Sequence, residues 1–520
     1  MANRGSPAQG LRLADLLAAL SVATDLGMAH PPGEAMRTCL VAAEVARAMD
    51  LPEPEVADSY YTALLRHLGC TATAHEEAMY FGGDEMASRP TAERTDFRNP
   101  REALSLLFGM GKGRGPLGRP RALARALTVP PKRQRDIFVA NCEVASRMAE
   151  RLGMSPGVRD GLYQGFERWD GKGTPQRLAG EDIALPARIG EVALQASVFD
   201  RLDGPDTAVE VVRRRAGSWL DPSVVHAFAR VGPDVLRRLR DSDVWEAVLA
   251  AEPEPRHRVS PSRIDDVARA FADLVDLKTP FMLGHSTEVA ELAEAAAREL
   301  GMPGKQVVNV RRAALFHDLG RVGVSDGIWE KRGPLTLAEE EQVRLHPYHT
   351  ERILSRSEAL SPLARIAGMH HERQDGTGYH HGAGGGEIPH SARILAAADA
   401  YQALTQDRPH RFALAPGVAA KELVAEAEEG RLDMESLRAV LSAAGEPLPA
   451  RAAWPAGLSD REVEVLRLMA FGFSNRDIGK QLYISPRTAE HHVQHIYAKI
   501  GFSTRAGAAM YAMEYDLIPR

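Results

Sequence analysis

Cysteine is nearly absent: Cys39, Cys70 and Cys142 are the only three in 520 residues. An odd, sparse set excludes a disulfide framework and reads as free thiols in a reducing compartment. Aromatic residues make up only 6% of the chain, and β-branched residues are thin beside Ala, Leu, Arg and Glu. That shortage disfavours sheets and favours helices. There is no excess of positive charge either. The formal net charge of −6 excludes wholesale binding of a polyanion, so any nucleic-acid contact must be local. Long apolar runs are also missing. The apolar stretch Leu16–Met28 is preceded by Asp15, interrupted by Asp25 and too short to span a bilayer. With no cleavage site, it reads as an amphipathic helix of a cytoplasmic protein with no membrane partner.

What the chain does have is histidine, concentrated in one stretch. Ten of its eighteen histidines lie between Gly284 and Arg411. They form a series with carboxylates: His285, His317-Asp318, His346, His370-His371 and Asp399. Imidazole and carboxylate without thiolate suit Fe, Mn, Zn, Ni or Co. These ligands are too many for one tetrahedral ion but enough for two metals sharing a carboxylate. His317 and Asp318 end an apolar helical run, Arg312–Gly320, where Asp318 can bridge. A two-metal centre activates water and clamps an in-line displacement at phosphorus, so phosphoester hydrolysis is the expected chemistry. Cations should line such a site; Arg321, Arg408 and Arg411 are the candidates.

Two Pro-rich stretches, 252–262 and 445–457, read as linkers and divide the chain into 1–251, 260–444 and 456–520. The first two segments are repeats. Gly33–Pro52 matches Gly284–Pro303, and Leu64–Gly69 matches Leu315–Gly320, both at an offset of 251. Phe166–Gly173 matches His371–Gly378 at an offset of 205, which implies an insertion of 46 residues in the first copy. That insertion contains Gly109–Arg121, read as a flexible loop. Scaffold residues agree between the copies while ligands do not: Glu34 stands for His285, Arg66-His67 for His317-Asp318, Gly165-Phe166 for His370-His371, and Leu194 for Asp399. The first copy is therefore expected to be a degenerate helical domain without metal ligands.

Residues 278–440 resemble an HD-GYP domain, the metal-dependent phosphodiesterase branch of the HD superfamily. The matching segments are Lys278–Ser286, Leu315–Arg321, His346-Pro347, His370–Tyr379 and Ala392–Asp399. The resemblance implies a five-helix core and hydrolysis of cyclic di-GMP at an iron or manganese centre. It assigns Asp318 and Arg321 catalytic roles and brings Asp375 and Tyr379, with Arg321, Arg408 and Arg411, to the substrate. Three departures stand out. Arg321 replaces the usual Lys, and the loop reads Gly378-Tyr379-His380 instead of Gly-Tyr-Pro. Phe281 occupies the position where some members carry a Glu for a third metal, which leaves two divalent metals, Fe or Mn. A tempting fragment elsewhere, Phe81–Met86 (FGGDEM), looks like a diguanylate cyclase motif, but no strand pattern flanks it.

Residues 458–518 carry three capped helical runs: Ser459 with Glu462 as a capping box, Ser474, and Ser485 before Pro486. The short connections are those of a helix-turn-helix, and the segment is similar to the LuxR-type DNA-binding domain. The resemblance implies that helix 486–500 enters the major groove. Glu490, His491 and Gln494 share one side and are expected at base edges; Arg487, Thr488, Lys499 and Arg505 are expected at phosphates. Gly479 stands where Ala is usual, at an expected cost of about 1 kcal/mol. A small, nearly neutral reader needs two copies on one duplex, so a homodimer is expected. The sequence thus reads as all-α: two HD-GYP-like domains followed by a LuxR-type domain, a regulator coupling cyclic-dinucleotide hydrolysis to transcription. A transcription factor that merely binds a nucleotide at its metal site is the alternative.

Overall fold

The computed structural model describes residues 11–80, 84–99, 102, 130–446, 454–482, 484–515 and 517–518; Phe81–Gly83 and the loop Gly109–Arg121 lie outside them. The chain divides into two compact units, Met1–Pro447 and Leu448–Arg520.

The first unit is helical, as the composition led us to expect. Its first half contains α1 (Leu13–Gly27), α2 (Glu34–Ala48), α3 (Glu53–Leu64), α4 (Ala74–Tyr80), α5 (Glu85–Arg94), α6 (Pro131–Arg151), α7 (Pro156–Tyr163), α8 (Leu185–Asp203), α9 (Pro205–Arg215), α10 (Pro222–Arg240) and α11 (Val244–Ala251). The second half contains α12 (Pro261–Asp276), α13 (His285–Glu299), α14 (Gly304–Phe316), α15 (Asp326–Trp329), α16 (Leu337–Arg344), α17 (His346–Leu354), α18 (Ser361–Gly368), α19 (His390–Thr405), α20 (Pro416–Glu428) and α21 (Met434–Ala443). Tyr60, Leu64, Leu68 and Ile189 fill one core and Val289, Ala293, Phe316 and Leu395 the other. Each large side chain buried this way contributes roughly 1.5–3 kcal/mol. All three cysteines are free and buried.

The repeat inferred from sequence is also a repeat of backbone contacts. In each half an aspartate at or near the end of one helix satisfies the orphan donors of the next. Asp25 accepts the amides of Gly33 (2.8 Å) and Ala35 (3.0 Å), and Asp276 accepts the amide (2.9 Å) and hydroxyl (2.7 Å) of Ser286. A glycine at positive φ opens each following helix, Gly33 at 101° and Gly284 at 80°. A second pair of glycines marks a close crossing. A Cβ on Gly69 would lie 1.9 Å from the Asn141 carbonyl oxygen, and one on Gly320 would lie 2.1 Å from that of His346. Asn141 is thus the counterpart of His346, a correspondence the sequence comparison had not drawn.

The stretch 252–262 is not a free linker. Leu11–Arg12 (β1) pairs antiparallel with Arg258–Val259 (β2), and the Glu252 carboxylate accepts from Tyr61 (2.9 Å) and Arg12 (2.8 Å). The boundary near residue 251 separates two repeats within one packed body. Helix α5 reaches across this seam. Asp84 caps it by accepting the Ala87 amide at 3.1 Å. Glu85, fully buried, meets the Lys278 ammonium at 3.1 Å and accepts from the Ser325 hydroxyl (2.9 Å) and Asp326 amide (3.0 Å). Of the cyclase-like fragment, the described residues Asp84 and Glu85 cap and anchor this helix.

The second unit contains α22 (Asp460–Ala470), α23 (Asn475–Gln481), α24 (Pro486–Ile500) and α25 (Arg505–Glu514), packed around Val465, Leu466, Ile478, Val493 and Ile496. The caps read from the sequence are present: the Ser459/Glu462 box, Ser474 accepting from Asp477, and Ser485 accepting from Thr488. Gly479 has a packing reason that the sequence did not show. A Cβ there would lie 2.8 Å from the Ile484 carbonyl oxygen and 3.3 Å from the Pro486 nitrogen. Helix propensity alone says Gly479→Ala should stabilise; the crowding reverses the sign. We expect this variant to be less stable by about 1–3 kcal/mol, read as a lower melting temperature of the C-terminal unit.

Candidate metal centre and DNA-reading helix

Most candidate ligands sit at or just past helix ends, where a side chain can project without a following turn. His285 and His346 are the first residues of α13 and α17. His317 caps the C-terminus of α14 with Asp318 beside it, and His370 and His371 follow the end of α18. Asp399 alone lies within a helix, α19. The Gly320 crossing brings the end of α14 onto the start of α17. Thr350 locks it, donating to the His317 carbonyl at 2.9 Å and accepting the Gly320 amide at 2.8 Å. Thr350 lies one turn after His346 on the same helix face, a signal present in the sequence but not used.

Three imidazoles are oriented the same way. His317, His346 and His370 each direct Nδ1 to the carbonyl three residues earlier, all at 2.6 Å. A carbonyl can only accept, so each Nδ1 carries the proton and each Nε2 presents its lone pair inward. His285 Nδ1 lies 3.2 Å from the Gln406 amide oxygen, with the same result. The Nε2 atoms of His346 and His370 then face one another at 3.2 Å, and His317 Nε2 is buried with no partner. Lone pairs gathered this closely in a dry site fit a cation.

Asp318 divides its two oxygens between two groups. Oδ1 lies 3.4 Å from His346 Nε2 and 3.8 Å from His370 Nε2; Oδ2 lies 3.6 Å from His317 Nε2 and 3.9 Å from His285 Nε2. Asp399 Oδ1 is 3.2 Å from His285 Nε2, and its Oδ2 is 4.0 Å from His371 Nδ1. Two ligand clusters result, His285/His317/Asp399 and His346/His370/His371, with Asp318 between them. All seven sequence candidates come together.

The charges are tuned by burial. Burial pushes His346 down to about 3 and His370 to about 4, leaving both neutral. It works the same way on His317, but the Asp318 and Asp399 carboxylates outweigh it and lift that ring to about 9, so a cation taken at its Nε2 displaces a proton. Burial alone would raise Asp318; Arg321 and the surrounding imidazoles instead hold it well below the usual carboxylate range.

The expected substrate residues fare unequally. Arg321 Nη1 lies 3.4 Å from Asp318 Oδ2, and its guanidinium stacks on Trp329 at 3.7 Å. Trp329, which the sequence reading missed, also meets His346 edge-on at 5.7 Å. Tyr379 stacks on His371 at 4.9 Å. Arg408 is pushed down to about 10 by burial and the nearby Arg321, and its Nη1 contacts the Phe281 carbonyl at 3.3 Å. Arg411 departs from expectation. Its guanidinium donates to the carbonyls of Ala403, Leu404, Gln406 and Phe412, closing the end of α19 instead of facing the ligands. Asp375 also departs: exposed, it accepts from the Thr377 amide (2.9 Å) and hydroxyl (2.7 Å), so it shapes its own turn. His380, in place of the expected Pro, ties the loop to α17 through Glu351 at 3.0 Å.

In the first half the corresponding space is filled by a different pair. The Arg66 guanidinium bonds to Glu191 and stacks on Phe166 at 4.9 Å. A Cβ on Gly165 would lie 1.9 Å from Arg66 Nη1, so a larger residue where His370 stands in the other copy would have to displace the guanidinium from Glu191. The expectation of a ligand-free half overlooked other residues: Asp25, His30 and His67 converge there, all buried.

In the second unit, Arg487, Thr488, Glu490, His491 and Gln494 are exposed along α24. His495 joins them, its ring 4.2 Å from that of His491. Two expected phosphate contacts are engaged within the domain. Lys499 donates to Glu462 (2.7 Å) and to the Gly457 carbonyl (2.9 Å). Arg505 donates to Asn475 (2.7 Å) and to the Phe473 carbonyl. Both brace the helices of the reader.

Comparison with known proteins agrees with this picture. The HD domain family matches residues 106–224 and 269–436, and the luxR family of bacterial regulatory proteins matches 456–512. A 3'3'-cGAMP-specific phosphodiesterase of Vibrio cholerae is 30% identical over 405 residues, covering 77% of this chain and 88% of that protein. A cyclic di-GMP phosphodiesterase response regulator of Xanthomonas campestris is 37% identical over 246 residues, 47% of this chain and 61% of that one. The crystal structure of a cyclic GMP-AMP-specific phosphodiesterase of V. cholerae superposes with a TM-score of 0.58 at 26% identity, covering 85% of this chain and 99% of that chain. Two HD matches over more than half the chain, beside a reader of the luxR family, place it: it belongs to the HD domain family, as a metal-dependent phosphohydrolase of the HD-GYP type that carries a LuxR-type helix-turn-helix domain.

Proposed function

We propose that the second half hydrolyses a cyclic dinucleotide at a centre of two divalent ions, Fe or Mn, and that the protein couples this activity to sequence-specific DNA binding in the cytoplasm. The observation that carries the reading is the division of Asp318 between two buried ligand clusters. His285, His317 and Asp399 would hold one ion, His346, His370 and His371 the other, with Asp318 shared. When bound, such a pair polarises the phosphoryl oxygens and lowers the pKa of the attacking water. The rest is done by this chain's own groups. The four backbone- or amide-anchored imidazoles keep their lone pairs inward, so no reorientation is needed on binding. Arg321, held flat by Trp329, supplies fixed positive charge for the phosphoryl oxygens, and Arg408 adds to it. Tyr379 walls the His371 side.

The relative that spans both halves is named for 3'3'-cGAMP, and the shorter relative for cyclic di-GMP. Both nucleotides belong in the assay. Metal-loaded full-length protein should linearise at least one of them, with products resolved by chromatography; no product from either would remove the enzymatic reading. On DNA we expect a homodimer at a pseudo-palindromic site with half-sites about one helical turn apart. Gln494→Ala should relax base preference in footprinting while leaving non-specific binding nearly unchanged. Identical affinity for random DNA in the unmodified protein would defeat the reader.

A further inference from the structure

The first half has lost the ancestral ligands, yet a different set of donors meets in its interior. His30 sits between α1 and α2, His67 follows α3, and Glu93 comes from α5. The two Glu93 oxygens each lie 2.8 Å from an imidazole Nε2, one from His30 and one from His67. The rings stand 5.4 Å apart, the same separation as His285 and His317 in the catalytic half. Asp25, His30 and His67 each offer a ligand atom within 4.8 Å of the others.

Hydrogen bonding leaves this cluster unsatisfied. His67 is hydrogen-bonded to one Glu93 oxygen, and His30 meets the other as an ion-pair contact at 2.8 Å. Nδ1 of His30, Nδ1 of His67 and Oε1 of Glu34 are buried without hydrogen-bond partners. His30 is 4% exposed and His67 5%. Buried polar atoms are nearly always paired, so several orphans around one point call for a ligand. Donors bound to one ion at 2.0–2.2 Å lie roughly 2.8–3.6 Å apart, which the Glu93–imidazole distances match. The charges agree as well. Three acidic groups, Asp25, Glu34 and Glu93, surround the cluster; Arg201 meets Glu34 at 3.3 Å, and Arg66 is paired with Glu191.

We propose that His30, His67 and Glu93, with Asp25 or Glu34 completing the shell, bind one first-row divalent transition metal in the first half. Two imidazoles and carboxylates are the donor set for Zn, Fe, Mn or Co. The site is rebuilt, not inherited. At the offset of 251, His67 occupies the position of Asp318, His30 that of Phe281 and Glu93 that of Arg344. All the ligands are buried, with no open side for substrate, so the ion is structural. It braces α5, the helix that carries Glu85 across the seam to Lys278.

The test counts metal in full-length protein whose catalytic ligands are removed by His317→Ala, Asp318→Ala and His346→Ala. Equilibrated with Co2+ and freed of excess, this chain should retain one ion more than the same chain carrying Glu93→Gln or His30→Ala. That extra ion should give visible d–d absorption with imidazole character. It should also raise the melting temperature of the chain, an increase absent in the Glu93→Gln form, whose helical circular dichroism reports its folding. Equal metal content with and without Glu93→Gln, or no Co2+-dependent rise in melting temperature, overturns the site. No phosphodiesterase readout enters, so this result is independent of the proposed function.

Discussion

Asp318→Ala should lose phosphodiester hydrolysis by about 10³-fold or more, because the carboxylate that divides its two oxygens between the His285/His317 and His346/His370 pairs is gone. Its oxygens lie 3.4 Å from His346 and 3.6 Å from His317. Asp399 reaches His285, His317 and His371, so the His346 and His370 side still loses its carboxylate. Metal content in the second half should fall together with activity. Arg321→Ala separates the two effects. It removes a cation 3.4 Å from Asp318 without removing a ligand, so turnover should drop about 10²-fold with metal content retained. Product chromatography and elemental analysis on the same samples decide the matter. An active Asp318→Ala protein would show that the bridge has been misassigned.

Lys278→Met should be the most destabilising single change at the seam. Lys278 is buried against Glu85 and Asp326, both at 3.1 Å. Removing it leaves two carboxylates in a dry interior, a loss on the order of 3–5 kcal/mol. The pH dependence gives a further check. Burial and Glu85 already push Asp326 up to about 7, against the opposing pull of Lys278. A carboxyl raised in the folded state binds more protons folded than unfolded, so its contribution to stability falls as pH rises from about 4 to about 7. Without Lys278 both carboxyls shift upward, and the melting temperature should drop more steeply between pH 6 and pH 8 than in the unmodified protein. A melting temperature unchanged by the substitution would show that the triad is not under strain.

The convergence of the second-half candidates was legible because donors of this type leave a residue signature: histidines and aspartates in apolar helical surroundings. The repeat was legible because glycines at close crossings admit no substitute, as Gly69 and Gly320 show. Arginines were read less well. Arg321 and Arg408 do approach the ligands, while Arg411, Lys499 and Arg505 are engaged within the fold, since sequence spacing does not say which carbonyl or carboxylate a long flexible side chain will find. Asp375 was misplaced for a related reason: an aspartate two residues before a threonine can serve its own turn as well as a substrate. The bracing of α5 against Lys278 and the His30–Glu93 contact lay beyond a linear reading. Both depend on contacts between residues far apart in the chain, Glu85 with Lys278 and Glu93 with His30.

The exchange of His317 for Arg66 and of His370 for Gly165 has a consequence for descent. Gly165→His alone would drive a ring into a guanidinium 1.9 Å from where its Cβ must go. Arg66→His alone would strand the buried Glu191 carboxylate and open space beside Phe166. Either backward step is worse than the present state, and neither restores a ligand set without Asp318 and His346 equivalents at His67 and Asn141. Reversion would have to cross a valley several substitutions wide, so the silent copy is free to specialise but not to return.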